Sequence, residues 1–320
     1  MAGVSGMTGI PGHRGTTGVT AIPGTDTVGM RDAAPSAADA AGAEAPIDVL
    51  VPACGRPSAL AVTLASIGAQ DWPALRVVVS DQTPGPGALR QPEVVAVLRY
   101  LQARGIRVNT WHHLPRRGMA EQRAFLLAQA HAASCLFVDD DVILEPGLVR
   151  RLQAMLARQR CGFVGSAVHG LSYRGQRRPD QETVDYWDDL VVPETVAPDD
   201  AAWRRHRLHN AANLFHVQSR PGADRQAARA YRVAWVGGCV LFDTAKLRAA
   251  GGFDFWPALP RDHCGEDVLA QLRVMRAHGG CGLMPSGAYH MELPTTLRQR
   301  TVDAPLALMM AVPGGGDRDA

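Results

Sequence analysis

The sequence has little that would tie the protein to a nucleic acid or a membrane. Its 320 residues include 33 Lys or Arg and 31 Asp or Glu, so the net charge of +2 leaves no basic excess for nucleic-acid binding. Lysine is nearly absent, since Lys246 is the only one. No apolar run approaches the roughly 18 residues that span a bilayer, and the N-terminus lacks a secretory-signal pattern. These absences predict a cytoplasmic protein that binds no nucleic acid and has no transmembrane segment.

Several functional patterns are also missing. The six cysteines form no C-x-x-C pair and no even spacing, which argues against a zinc ribbon and against a disulfide scaffold. No G-x-G-x-x-G follows the first predicted strand, and the chain contains no G-x-x-x-x-G-K-[ST], G-x-S-x-G or H-E-x-x-H. Dinucleotide dehydrogenases, P-loop NTPases, α/β-hydrolases and zincins are thereby excluded.

Both ends of the chain are poor in residues that build a core. Residues 1–45 contain no aromatic side chain and are rich in Gly, Ala, Thr, Ser and Pro, so they are predicted to form a disordered leader. Glycine recurs at every third position from Gly3 to Gly18, but too little proline accompanies it for a collagen helix. The tail, residues 303–320, is predicted to be flexible. The ordered domain is therefore expected over residues 46–302.

Between the ends, apolar β-branched runs alternate with segments of helical spacing. The predicted strands are residues 47–52, 75–80, 106–111 and 134–138, and the predicted helices are residues 57–70, 91–104 and 118–131. This alternation is typical of an α/β fold with a mostly parallel sheet covered by helices on both faces. Ligands of such sheets bind at the C-terminal ends of the strands, so the residues after each strand are the first candidates for a site.

Three adjacent carboxylates, Asp139, Asp140 and Asp141, follow the fourth predicted strand. They repel one another unless a cation or hydrogen-bond donors neutralise them. Mg²⁺ and Mn²⁺ take oxygen ligands, commonly one or two carboxylates together with substrate phosphates. The alternative is a solvated acidic turn before a helix that starts at Glu145-Pro146. The triplet alone does not choose between a metal site and such a turn.

Two patterns in the first half resemble a known family. The segment IDVLVPACGRPSALAVTLASI, residues 47–67, combines a strand that ends in proline, a short loop and a helix. Gly118 and Arg123 then precede Asp139 in a fixed order. These residues resemble glycosyltransferase family 2, whose members have a GT-A fold, although Ala124 stands where the family usually has asparagine.

The second half contains three more elements in the family's order. They are Trp235-Val236-Gly237-Gly238 before an apolar strand, Gly251-Gly252-Phe253-Asp254 and Gly265-Glu266-Asp267-Val268. The resemblance covers about residues 46–292. It implies a Rossmann-like, mostly parallel sheet flanked by helices, with a nucleotide-binding half (46–145) and an acceptor half (146–302) that contains a helical or loop insertion (170–232).

The resemblance also implies a nucleotide-diphosphate sugar donor, with a UDP-sugar favoured. Asp81 would accept hydrogen bonds from the base, or it would be a turn residue before Gln82. Asp139 would reach the ribose or the metal. Arg123 would pair with the nucleotide phosphate, or it would hold an acidic loop. The residues implied at the donor nucleotide are Pro52, Arg56, Asp81, Gly118, Arg123, Asp139 and Asp140.

A metal ion, Mn²⁺ or Mg²⁺, is implied by the same resemblance, with Asp139, Asp141 and His290 as its ligands. The ion would stabilise the charge that grows on the departing diphosphate. His290 would be a further ligand, or else a structural histidine.

The acceptor side is expected around a predicted helix over residues 266–278. Asp267 would take the proton from an acceptor hydroxyl, with Glu266 as the second candidate. Acidic residues are also common in first helical turns because of the helix dipole alone. In-line attack would invert the anomeric configuration, although some GT-A relatives retain it. The residues implied around the donor sugar and the acceptor are Trp235, Gly237, Gly238, Gly252 and Phe253.

The insertion, residues 170–232, has an acidic stretch followed by a basic one. Acids are frequent over residues 180–200 and arginines over residues 204–232. The two stretches are expected to neutralise each other in a solvated flap. The alternative is that the basic segment, with Trp203 and Tyr231, holds an anionic or lipid-diphosphate acceptor near a membrane surface.

The sequence therefore predicts a metal-dependent glycosyltransferase that moves one sugar to a hydroxyl of a cell-surface glycan, a glycolipid or a small molecule. The absence of a Gln-x-x-Arg-Trp segment departs from the processive polysaccharide synthases of the family and favours a single transfer. The protein would be cytoplasmic and, with a lipid-linked acceptor, peripheral at the inner face of the membrane. Two alternatives stay open: a catalytically silent nucleotide-sugar-binding protein and a metal-dependent nucleotidyltransferase.

Overall fold

The structure is a computed structural model that describes residues 45–221, 223, 228–296 and 299–309. The expected leader, except for Ala45, and the tail beyond Met309 lie outside the described residues. Within the described part, no helix is long and apolar enough to cross a membrane.

Strands and helices alternate through the first half of the chain, as the sequence predicts. The strands β1 to β13 are Ile47–Ala53, Leu75–Asp81, Arg107–His112, Ser134–Val138, Val142–Leu144, Phe163–Gly165, Val168–Gly170, Arg229–Tyr231, Cys239–Asp243, His263–Cys264, Gly280–Met284, Ala288–His290 and Val302–Asp303. The helices α1 to α8 are Pro57–Gly68, Pro92–Ala103, Met119–Ala128, Leu148–Gln159, Asn213–Gln218, Thr244–Ala249, Glu266–His278 and Ala304–Met309. Every element predicted before residue 140 is present, with bounds shifted by a few residues at most.

Prolines account for the clean starts of the first two helices. Pro57 and Pro92 are the first residues of α1 and α2, where the missing N–H has no partner in the helix anyway. The helix expected at Glu145-Pro146 begins instead at Leu148, after Gly147 in the left-handed conformation. Local sequence therefore determines the helix starts to within one turn.

The central sheet has eight strands in the order β3-β2-β1-β4-β9-β6-β11-β8. β1 pairs in parallel with β2 and β4, and β2 with β3, whereas β9 is antiparallel to both β4 and β6. β1 is buried along its whole length, which explains its nearly continuous apolar sequence. The predicted fold class, a mostly parallel sheet flanked by helices, is confirmed.

Each face of the central sheet has its own apolar cluster. Along β1, Val49 and Val51 belong to one cluster and Leu50 to the other, because successive side chains of a strand point to opposite faces. Leu64 of α1 and Leu126 of α3 are fully buried in these two clusters. Burial of one leucine contributes roughly 1.5–3 kcal/mol. The two layers hold the C-terminal ends of β1 and β4 side by side.

Two small sheets bring distant parts of the chain to the residues that follow β4. β12 lies between β5 and β7, and β10 pairs with β13. The N–H of Met291 donates to the Asp141 carbonyl at 2.9 Å. His290, the last residue of β12, is thereby placed beside the acidic triplet.

Ion pairs hold the insertion together. Arg205 lies 2.7 Å from Glu194, and Arg232 lies 3.2 Å from Asp185, so the expected neutralisation of acidic by basic residues is confirmed. The insertion is not a separate flap throughout, because β8 pairs with β11 and forms the last strand of the central sheet.

The expected flexible tail from residue 303 needs a correction. Val302–Asp303 is strand β13, and α8 follows it directly. Ala304 is fully buried in the second apolar cluster. Burial of Ala304 and Pro305 is the physical reason that residues 303–309 form regular structure.

Candidate active site

A cavity of about 580 Å³ opens where the ends of β1 and β4 meet the start of α7. The chain after β12 forms its remaining side. Ten residues of the predicted site line this cavity: Pro52, Arg56, Arg123, Asp139, Asp140, Asp141, Trp235, Glu266, Asp267 and His290. These residues come from both halves of the sequence, and the fold brings them together.

Arg56, in the loop between β1 and α1, neutralises part of the acidic triplet. Its guanidinium contacts Asp140 Oδ1 and Asp141 Oδ2, and the Cys54 N–H donates to the other Asp140 oxygen at 3.1 Å. Both carboxylates are buried. Burial raises the pKa of Asp140 to about 7 and raises the pKa of Asp141, although Arg56 acts against both shifts. A solvated acidic turn is therefore wrong for these two residues.

Two of the three predicted metal ligands face each other. His290 Nε2 lies 3.5 Å from Asp141 Oδ2, while Asp139 is turned toward Arg123. Among the described residues, no group of three or more His, Cys, Asp or Glu side chains is arranged to hold a metal ion. The Asp141 carboxylate is nevertheless a suitable donor for Mn²⁺ or Mg²⁺, which commonly take one or two carboxylates and complete the shell with substrate phosphates and water. An imidazole is a common metal ligand in proteins and would add a nitrogen donor. The pair fits a cation that is completed by substrate, and a role of Asp139 as a ligand stays a prediction.

Arg123, on α3, connects the two halves of the site. Its guanidinium donates to Asp139 Oδ1 at 2.8 Å and to Glu266 Oε1 at 3.1 Å, and it lies 5.6 Å from the centre of the Phe137 ring. The residue is buried. Of the two roles left open for Arg123, the structure shows the one in which it holds acidic residues in place.

Asp267 has the environment of a general base. It lies in the first turn of α7, which begins after Gly265 and has the predicted bounds. Burial and the neighbouring Glu266 carboxylate raise the pKa of Asp267 to about 7, against the opposing effect of Arg123. A pKa near the working pH suits proton transfer. Glu266 itself is bonded to Arg123, so Asp267 is the less engaged of the two acids.

Trp235 forms an aromatic wall of the cavity, and two aromatic residues of the insertion pack against its ring. Its ring stacks on His206 at 5.0 Å with an interplanar angle of 4°, and Trp203 lies 4.6 Å away. Gln271 of α7 bonds to both the N–H and the carbonyl of Val236 at 2.8 Å. Val236, the residue after Trp235, is therefore bonded to α7, the helix that carries Asp267. Trp203, which only the alternative interpretation of the insertion places at an anionic acceptor, packs against Trp235.

Asp81 does not line the cavity. Its carboxylate accepts the N–H groups of Thr83 at 2.8 Å, Ala88 at 2.6 Å and Leu89 at 3.2 Å, and the residue is fully buried. The structure thus shows the turn role that the sequence left open. Contact of Asp81 with a base stays a prediction.

Gly118, Gly252 and Phe253 shape the backbone around the cavity and do not line it. Gly118 has φ of +110°, and a Cβ there would lie 2.7 Å from the His263 ring. Gly252 has φ of +52°, and its Cβ would lie 2.7 Å from Leu127. Phe253 is 2% exposed and packs against other aromatic rings of the core. Contact of these residues with a ligand stays a prediction, and Gly237 and Gly238 also lie outside the lining of this cavity.

Sequence reasoning did not name the lining residues from the chain after β12, from the end of β1 and the loop after it, from the starts of α3 and α7, and from β10 and the residue that follows it. They are Cys54, Met119, Cys264, Gly265, Val268, Leu293, Thr295, Thr296, Arg300 and Asp303, together with Ala53. No local motif marks the threonines. Gln271 was also missed, although an amide at a fully buried position of α7 is a signal that it bonds to backbone.

Family membership follows from the sequence comparison. The family model for glycosyl transferase family 2 matches residues 48–229, which is more than half of the chain. The protein therefore belongs to glycosyl transferase family 2. No curated protein matches the chain.

Two solved structures resemble this chain at low sequence identity. S. aureus TarS 1-349 in complex with UDP-GlcNAc is 16% identical with a TM-score of 0.51, over 79% of this chain and 60% of that chain. The mannosyltransferase PcManGT from Pyrobaculum calidifontis, in complex with GDP-Man and Mn²⁺, is 15% identical with a TM-score of 0.46, over 78% of this chain and 59% of that chain. The chain thus spans about 60% of the TarS fragment, and the likeness to TarS concerns the fold alone.

Proposed function

We propose that the protein transfers a single sugar from a nucleotide-diphosphate sugar to an acceptor hydroxyl, with a divalent metal ion and with inversion at the anomeric carbon. One observation carries the proposal. Asp141 and His290, the proposed cation-binding pair, line the same cavity as Asp267, an acid whose pKa is raised to about 7. Transfer with a diphosphate leaving group needs both functions, because charge develops on the leaving group while the attacking hydroxyl loses a proton.

The donor binds on the side of Asp141 in this proposal. Asp141 and His290 would hold Mn²⁺ or Mg²⁺, and the bound ion would stabilise the charge on the departing diphosphate. Arg56 supplies a second positive charge next to the same position. UDP-sugars are the first donors to test, since the TarS structure of this fold holds UDP-GlcNAc.

The acceptor binds on the side of α7. The Asp267 carboxylate accepts the hydroxyl proton, while Arg123 keeps Glu266 and Asp139 paired and in place. Trp235 offers an aromatic face to a sugar ring at this wall. Attack from the side opposite the leaving diphosphate gives inversion. A hydroxyl of a cell-surface glycan or glycolipid, reached in the cytoplasm at the inner face of the membrane, is the acceptor class that we propose.

The proposal is tested by turnover. Purified protein is screened for stabilisation by UDP, GDP, CDP, TDP and ADP with and without Mn²⁺, because a ligand that binds only the native state raises its melting temperature. Sugars of the best nucleotide are then assayed for release of the diphosphate, by slow hydrolysis or by transfer. Metal-dependent release that the Asp267→Asn variant lacks is the expected result. Binding without any release would favour a silent nucleotide-sugar-binding protein, whereas pyrophosphate formation from a nucleoside triphosphate and a sugar phosphate would favour a nucleotidyltransferase.

A further inference from the structure

Arg56 and a metal ion would compete for one carboxylate oxygen. The guanidinium contacts Asp141 Oδ2, and this is the same oxygen that lies 3.5 Å from His290 Nε2. Two cations that share one oxygen repel each other, and the site is buried enough to weaken screening by water. The contact with Arg56 therefore disfavours a divalent ion at Asp141.

The hydrogen-bond donors of Arg56 are not all paired. Among the described residues, its buried Nε has no hydrogen-bond partner, which costs free energy. The side chain is 20% exposed. Arg56 also lines a second cleft of about 450 Å³ together with Arg116 and Thr296. The unpaired Nε therefore makes it less costly for the guanidinium to leave the acidic triplet, and the second cleft has space for it.

His290 is engaged as well. Its Nδ1 accepts the Glu292 N–H at 2.8 Å. A neutral imidazole that accepts at Nδ1 has its proton on Nε2, the nitrogen that faces Asp141. Both members of the proposed cation-binding pair thus contact other groups of the chain.

We propose that Arg56 is an exchangeable cation that neutralises Asp141 in the donor-free protein, excludes a divalent ion from it, and moves to the diphosphate when the donor enters. Guanidinium groups bind phosphate oxygens with two parallel hydrogen bonds, so a diphosphate attracts Arg56 away from the carboxylates. The inference rests on the proposed function and adds to it a coupling between the two ligands. Each ligand then raises the affinity for the other by the same factor.

Calorimetric titration of Mn²⁺ alone and of Mn²⁺ with a saturating nucleoside diphosphate tests this coupling. The diphosphate is the one of UDP, GDP, CDP, TDP and ADP that raises the melting temperature of the wild type most. In Arg56→Gln, Mn²⁺ alone should bind about tenfold more tightly, and the diphosphate in the presence of Mn²⁺ about tenfold more weakly, within the range of typical couplings. Opposite changes in the two affinities are not expected from a purely structural role.

Two further variants guard against misfolding and nonspecific charge effects. The double variant Arg56→Gln/Asp140→Asn removes one positive and one negative charge together. Asp141 then has no contact with Arg56, and the net charge of the site is unchanged. The double variant should show the same gain in Mn²⁺ affinity. Arg104→Gln alters an arginine that lies against Tyr100 outside the cavity and should change neither affinity.

Different results overturn the inference and the proposed function. If both Arg56 variants bind Mn²⁺ alone no better than the wild type, Arg56 does not compete for Asp141. The proposed function stands in that case, provided that the wild type binds the diphosphate in a Mn²⁺-dependent way. A wild-type protein whose Mn²⁺ affinity none of the five diphosphates changes would contradict both.

Discussion

Two arginines of one cavity each hold two carboxylates, but they differ in how firmly the fold holds them. Arg123 has a side chain that is 6% exposed, and it joins Asp139 after β4 to Glu266 on α7. Arg56 has a side chain that is 20% exposed, and it contacts two neighbouring residues of a single loop, Asp140 and Asp141. Arg123 thus links the residue after β4 to helix α7, whereas Arg56 pairs only with the turn after β4.

The same pairing of an arginine with two carboxylates can therefore serve two purposes. Both nitrogens of Arg123 that face acids are matched, and its ring contact with Phe137 adds packing. Arg56 leaves its Nε unpaired among the described residues. We therefore assign Arg123 to the permanent architecture of the proposed acceptor side and Arg56 to the exchangeable charge of the proposed donor side.

The largest expected effect is on the acceptor side. Asp267→Asn removes the proposed base and should lower the turnover rate by about 10²–10⁴-fold, while binding of the nucleoside diphosphate is kept. The measurement is single-turnover release of the diphosphate from the donor sugar. The melting temperature at pH 8 should not fall, because burial destabilises the charged form of Asp267, which the neutral Asn replaces. A variant that keeps the wild-type rate would exclude Asp267 as the base.

The comparison of the two arginines is tested most sharply by unfolding. Arg123→Met leaves two buried or half-buried acids without their partner and should cost about 3–5 kcal/mol in the free energy of unfolding. Arg56→Met should cost less, roughly 1–3 kcal/mol, since Asp140 can take up a proton with its pKa raised to about 7. Urea denaturation at pH 7 measures both losses. Equal losses would show that the two arginines are equally structural.

The pH dependence of turnover tests the environment of Asp267. A base acts in its deprotonated form, so the turnover rate at saturating donor and metal should rise with pH through about 7, the raised pKa of Asp267. Glu266→Gln removes a neighbouring negative charge that raises this pKa, and the rise should therefore move to lower pH. An unchanged midpoint would contradict this coupling, and complete loss of turnover in Glu266→Gln would make Glu266 the base.

The smallest effect is expected at Asp81. Asp81→Asn keeps one oxygen acceptor for the loop N–H groups and should cost about 1–2 kcal/mol of stability. The affinity for the nucleoside diphosphate should change by less than about tenfold, which is 1.4 kcal/mol. Calorimetric titration beside a melting curve measures both quantities. A larger loss of affinity in a protein with an unchanged melting temperature would show that Asp81 binds the base of the nucleotide.

Much of the fold can be predicted from the sequence because its signals are local. β1 and β4 are short buried runs, and Pro57 and Pro92 mark the first residues of α1 and α2. The acids after β4 and at the start of α7 can be found for the same reason. Each follows a recognisable boundary between an apolar segment and a turn.

The parts that sequence reasoning misses depend on contacts between distant residues. A motif shows that Gly118 is needed, but only the fold shows that His263 occupies the space of its missing side chain. The aspartates look alike in sequence, yet the loop N–H groups engage Asp81 while Asp141 lines the cavity. The support of Trp235 by His206 likewise depends on how the insertion folds back.

The central claim is that the two sides of the cavity have separate tasks, and one calorimetric experiment tests it most directly. The diphosphate that stabilises the wild type most is titrated, with and without Mn²⁺, into the wild type, Asp141→Asn and Asp267→Asn. The account predicts that Asp267→Asn binds it like the wild type and that Asp141→Asn loses the gain in affinity that Mn²⁺ provides. Loss of this gain in Asp267→Asn, or its persistence in Asp141→Asn, would contradict the account.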